Sequence, residues 1–199
     1  MKKETTSQSL GGAAFYFLVG TAWAAYGVHS LFGWGQLWPA AGLTLTALAL
    51  LASFLSVRRA VGPEPVLILT PAEQGREARE GRVFVWVNGA QGVAIFLMIN
   101  FCINLHRPGY IAPLFALIVG LHFFVLAPAL KTRSLWAIGI LLCLLVVVTL
   151  LAVPQPLWRA AVGLGSGVVF LGGGAFRLQT AQLASRERPN AERENGPVA

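Results

Sequence analysis

The sequence predicts an all-α fold: a polytopic membrane bundle of six transmembrane helices with both termini on the cytoplasmic side. Three observations predict it. Apolar residues gather into long runs almost free of charge, basic residues crowd into alternate connections, and tryptophan and tyrosine stand at the run ends. Only 12% of the 199 residues are charged, about half the usual share in a soluble domain, and the mean hydropathy is +0.67.

A helix needs roughly 20 apolar residues to cross the hydrocarbon core of a bilayer. Six runs approach or exceed that length: 12–33, 40–57, 83–105, 110–130, 134–153 and 157–177. Lys2 and Lys3 ahead of the first run resemble the start of a secretion signal, and Ala22-Trp23-Ala24 is loosely like a cleavage site. The apolar stretch nevertheless continues to Phe32 and carries Trp23, Tyr26 and His29, so it is expected to stay as the first span.

The second run ends at Arg58-Arg59 and opens the one sizeable polar connection, residues 58–82. Pro63 and Pro65 disfavour helix in themselves and in the residues before them. Thr70-Pro71-Ala72-Glu73 then reads as a helix start, with Thr70 as N-cap, Pro71 first in the helix and Glu73 placed for a capping box. "QGREAREGR" would follow as a short polar helix leading into the third span. This connection is either a solvated linker that sets topology or a partner-binding segment.

The third run, "VFVWVNGAQGVAIFLMINFCIN", contains several amides and no charge. Pro108-Gly109 separates it from the fourth run, Lys131-Thr132-Arg133 separates the fourth from the fifth, and Pro154-Gln155-Pro156 the fifth from the sixth. From 184 onward there is too little apolar surface for a core, so 184–199 is expected to be a disordered cytoplasmic tail beyond a six-helix domain, 1–183.

Orientation follows from charge. Thirteen of the fifteen Lys and Arg residues fall on one side of this pattern, and only Arg107 and Arg159 on the other. Basic residues mark the cytoplasmic face, which puts both termini in the cytoplasm of a bacterial inner membrane. Trp34, Trp38, Tyr110 and Trp158 then fall at the outer boundary, and Trp86 and Trp136 at the inner one. A net charge of +7 would also suit nucleic acid, but the basic residues border apolar runs and form no solvated face. The expected partner is the lipid bilayer, not nucleic acid.

Intramembrane chemistry is narrow. There is no Asp, the eight acids are all Glu, and none lies deep in a run. Proton-coupled carriers need a carboxylate there and voltage sensors an arginine ladder; paired-carboxylate hydrolysis needs two acids. The three histidines lack metal-ligand spacing, so neither a metal nor a cofactor is expected, and the chain is not expected to be an enzyme. His29 and His122 would lie about 6 and 18 Å below the outer ends of their spans, which argues against a shared haem. Cys102 and Cys143 are expected as small apolar core residues at different depths, without a disulfide.

"GLGSG" at 163–167, six spans and a membrane histidine superficially resemble the rhomboid proteases. That likeness fails, because Leu164 stands two residues before Ser166 and the histidine precedes the serine by two spans. Gly163 and Gly167 are instead expected to let helix backbones approach closely, and Gly172-Gly173-Gly174 to pack or flex near the inner surface.

His122 stands alone in the apolar stretch "IVGLHFFVLA". Helical rise places Gln91 at nearly its depth, Asn88 one turn further in, and Thr21, Ser53 and Ser166 within about a turn. An imidazole facing lipid would leave polar atoms unpaired at a cost of several kcal/mol, so His122 is expected to face the bundle and meet Gln91 or Asn88. Two readings stay open: a neutral histidine that fixes packing, or the titratable member of a polar pocket. Asn100 and Asn104 share a helix face near the outer end and, with His29, Ser30 and His106, would line an outward mouth.

Residues 88–130, "NGAQGVAIFLMINFCINLHRPGYIAPLFALIVGLHFFVLAPAL", resemble a small bacterial family of six-span integral membrane proteins to which no activity is assigned. In that family an IVGLHF-type segment in the fourth span is followed by a Pro-Leu-Ala-like ending, where this chain has Val125-Leu126-Ala127. Its third span often carries an acid before a glycine, where this chain has Gln91-Gly92. The resemblance covers about a fifth of the chain and implies the topology and the weight of the His122 region, not a reaction. The functional expectation is transport or binding of a small molecule in a polar pocket between helices. The alternative is a non-catalytic accessory or stress-related membrane protein that acts through partner contacts.

Overall fold

The computed structural model describes residues 6–32, 55 and 70–194. Among them are five α-helices: α1 (Thr6–Phe32), α2 (Pro71–Asn104), α3 (Ile111–Ala129), α4 (Arg133–Ala152) and α5 (Trp158–Glu194). Short 3-10 turns at Pro108–Tyr110 and Gln155–Leu157 introduce α3 and α5. Four stretches are long and apolar enough to cross a membrane: Ala78–Asn104, Pro108–Ala129, Arg133–Ala152 and Gln155–Thr180. The run 40–57 apart from Leu55, and with it Ser53, lies outside the described residues, as do Trp34 and Trp38.

The helix ends follow local chemistry. Helix α2 starts at Pro71, as its start motif predicts, with the Thr70 carbonyl accepting a bond from the Gln74 amide at 3.0 Å. The polar segment and the third apolar run then form one helix of 34 residues, because no proline or cap interrupts them. At its far end His106 adopts φ 53°, the Arg107 amide donates to Cys102 O and the His106 amide to Ile103 O. Lys131 repeats this at the end of α3, with φ 53° and bonds from Thr132 N to Ala127 O and from Lys131 N to Pro128 O. Both are Schellman endings in which a non-glycine residue takes the left-handed position.

Helix α5 continues to Glu194, ten residues past the point where the sequence predicts a tail without structure. That expectation rested on the lack of apolar surface. A core needs such surface, whereas extending an existing helix through residues such as Ala, Arg and Glu does not, although Pro189 within this stretch removes one backbone hydrogen bond.

Packing is set by glycine. Helices α1 and α5 run antiparallel, with Phe17 against Gly174, Gly20 against Phe170 and Leu171, Ala24 against Gly167, and Gly27 against Gly163. A Cβ on Gly163 would stand 2.5 Å from Gly27 Cα, and one on Gly167 2.8 Å from Ala24 Cβ. Both glycines therefore do what their spacing predicts. In the α3–α4 contact, a Cβ on Gly120 would meet Cys143 Sγ at 2.9 Å and one on Gly139 would meet Phe124 at 2.8 Å. Gly173 and Gly174 pack against Ile138 and Phe17, whereas Gly172 faces open space. Cys102 is buried and Cys143 half-buried, and both are free thiols.

The main core joins Tyr16 of α1, Val119, Phe123 and Leu126 of α3, Ile138 and Leu142 of α4, and Phe170 of α5. A smaller cluster of Ala116, Val146 and Val162 lies further along the bundle. Helix α2 lies on α3 through a stripe of Val83, Val87, Gln91, Ile95, Met98 and Cys102, half-buried or buried and spaced at the helical repeat. Its other side, including Trp86, Val93, Phe96 and Leu97, is exposed, as a lipid-facing surface is.

Overpacking a close helix contact costs about 1–3 kcal/mol. Gly163→Leu should therefore lower the thermal midpoint of the detergent-solubilised protein by several degrees. Gly172→Leu, with nothing within 4 Å of its added Cβ, should leave it unchanged. Equal midpoints for the two variants would remove the glycine contact as a determinant of the fold.

Candidate functional site

The helix registers fix which polar residues share a level. Gly20 lies beside Phe170, and the Phe170 ring is 5.9 Å from that of Phe123 and 6.0 Å from that of Tyr16. Thr21, next to Gly20, and His122, next to Phe123, therefore belong to the Phe170 layer. Ser166 is one turn nearer the start of α5 than Phe170 on the same helix face. Counted from the turn between α2 and α3, Gln91 lies about 20 Å and His122 about 17 Å along their helices. Four helices thus bring Thr21, Gln91, His122 and Ser166 to similar depth. Ser53 lies outside the described residues.

Their environments differ. Ser166 is fully buried between Val162 and Phe170, and its Oγ has no hydrogen-bond partner among the described residues. His122 is half-buried with its ring edge-on to Phe123 at 5.8 Å, and its Nδ1 is likewise buried and without a partner among them. Gln91 is half-buried on the stripe of α2 that meets α3, and Thr21 is half-buried on α1. Asn88 is turned to its own helix, Nδ2 donating to Phe84 O at 2.7 Å. Asn100 does the same, donating to Phe96 O at 2.8 Å. A carboxamide thus spends its donor one turn back along its helix.

One end of the bundle holds a cavity of about 540 Å³ lined by Tyr26, His29, Ser30, Gly109, Gln155, Pro156 and Arg159. Prolines at 108, 154 and 156 stop the helices here and leave short turns. The turns are pinned by Trp158, whose Nε1 donates to Val153 O at 2.8 Å and whose ring meets Tyr110 edge-on at 4.9 Å. Gly109 and Gln155 come together so closely that a Cβ on Gly109 would lie 3.2 Å from Gln155 Nε2. Ser30 Oγ donates to Tyr26 O at 2.8 Å.

His29 and Ser30 both line this cavity. Asn100 and Asn104 are exposed on α2 and do not line it. Their places are taken by Gly109, Gln155 and Arg159, which sequence reasoning treated only as turn and topology residues. The available signal was Arg159 itself, one of two basic residues on a side with no acid. At the opposite end Arg177 ties three helices together, donating to Ser134 Oγ at 3.2 Å and lying 5.2 Å over the Tyr16 ring.

Among the described residues no three His, Cys, Asp or Glu side chains come together. His29 lies near the Gly27–Gly163 level and His122 near the Phe170 level, about two turns apart.

An unpaired buried hydroxyl costs about 1–3 kcal/mol. Ser166→Ala should therefore hold or raise the thermal midpoint in detergent. A marked fall would show that Oγ is hydrogen-bonded in the folded protein.

No protein-family model, no curated protein and no solved structure matches the chain. What its composition and its four apolar helices establish is a helical, multi-pass membrane protein in contact with lipid.

Proposed function

We propose that the chain is a six-span protein of a bacterial inner membrane, with both termini cytoplasmic, that binds or passes a small neutral or weakly polar solute between its helices. The observation that carries this reading is the pair of buried polar atoms, Ser166 Oγ and His122 Nδ1, without partners among the described residues and about one turn apart in depth. Buried polar groups ordinarily find partners, and a solute lodged between the helices would supply them. Gln91 and Thr21 at similar depth would add an amide and a hydroxyl. The solute would be uncharged, because no ionised side chain stands at that depth to meet a charge. The cavity at His29 and Ser30 would be its outer approach.

The test is a thermal-shift screen of the detergent-purified protein against small metabolites, with His122→Ala and Gln91→Ala in parallel. A ligand at 100 times its Kd stabilises the folded state by about 2.7 kcal/mol, which reads as several degrees. At least one compound should stabilise the wild type and not His122→Ala. If none shifts the wild type while His122→Ala merely lowers the midpoint, His122 is a packing residue and the solute reading fails.

The orientation rests on the thirteen-to-two bias of basic residues, and the six spans on the apolar runs. A reporter fused after residue 199 should be active only in the cytoplasm; periplasmic activity would overturn the orientation.

A further inference from the structure

The cavity at the mouth has a charge pattern that a route for neutral solutes does not require. Arg159 lines it, and no acidic residue occurs anywhere in 5–63 or 81–186. No carboxylate from α1, α3, α4, the two turns or the start of α5 is therefore available to neutralise that guanidinium. The same cavity is lined by Gln155, Tyr26 and His29, residue types that can donate hydrogen bonds, and by the apolar Pro156. Gly109 keeps the floor open, since a side chain there would press on Gln155 Nε2. The start of α5 adds partial positive charge at the same end.

From this donor set we infer that the cavity is a site for a phosphate-bearing anion, with Arg159 as its principal ligand and Gln155 as a second donor. A guanidinium binds phosphate through paired, charge-assisted hydrogen bonds. Carboxamide and phenol groups add neutral donors without competing for the charge. The same chemistry serves a phospholipid headgroup at the membrane surface and a soluble phosphate entering from outside. This site stands independently of the solute layer about two turns deeper, and either can exist without the other.

The test is calorimetric titration of the full-length protein in phosphate-free detergent, using inorganic phosphate and a short-chain phosphatidylglycerol as separate probes. Three variants are compared: Arg159→Gln; Gln155→Glu, which puts a carboxylate beside the guanidinium; and Arg107→Gln, which removes a basic residue at the α2–α3 turn that does not line the cavity. The wild type should bind at least one probe, and Arg159→Gln and Gln155→Glu should each weaken it about tenfold or more. Arg107→Gln should leave it unchanged. Gln155 is exposed, so its variant keeps the test in force should Arg159→Gln fail to fold. Binding of inorganic phosphate identifies a soluble anion as sufficient, and binding of the lipid alone identifies a headgroup site. The inference is overturned if neither probe binds the wild type, or if Arg107→Gln weakens binding as much as Arg159→Gln does.

Discussion

The bundle depends on one contact, the back-to-back approach of Gly27 and Gly163 between the first and last helices. Lipid tails are as apolar as leucine, so within a membrane burial of apolar surface gives helices little reason to associate. Close van der Waals contact does, and it requires backbones to come near each other. Gly20, Gly167 and Gly174 extend the same contact over several turns. The register it sets decides which residues share a depth: Thr21 with Phe170, and His29 with the turns at the far end.

Polarity is graded along that frame. The middle layer is built of aromatic and aliphatic side chains with single polar groups, His122 and Ser166, set among them. Cations stand at the ends, Arg177 over Tyr16 at one and Arg159 in the cavity at the other. The arrangement keeps full charges where water or headgroups can reach them and leaves only uncharged donors and acceptors in the interior.

Much of this was legible in the sequence. Thr70-Pro71 announced the start of α2, the prolines at 108 and 154 its neighbours' limits, and the spacing of Gly163 and Gly167 their packing role. Each of those signals acts within a few residues, through backbone sterics or the helical repeat. The destinations of the amides were not legible, because spacing says which face a carboxamide occupies and not whether it bonds across to a neighbour or back to its own helix. Asn88 and Asn100 bond back. The cavity lining was hidden for another reason: Gly109, Gln155 and Arg159 meet His29 only after three separate chain segments have converged.

That the decisive contact joins α1 to α5 bears on how the protein is made. Gly27 and Gly163 are separated by 136 positions. A ribosome adding roughly 5–20 residues per second would emit the second glycine on the order of ten seconds after the first. During that interval the α5 backbone that fits against Gly20 and Gly27 does not yet exist. The α1–α5 contact thus forms only after α3 and α4 have been made. A chain interrupted before α5 would lack the backbone that seats against Gly20 and Gly27, and those notches would be left to other neighbours in the bilayer.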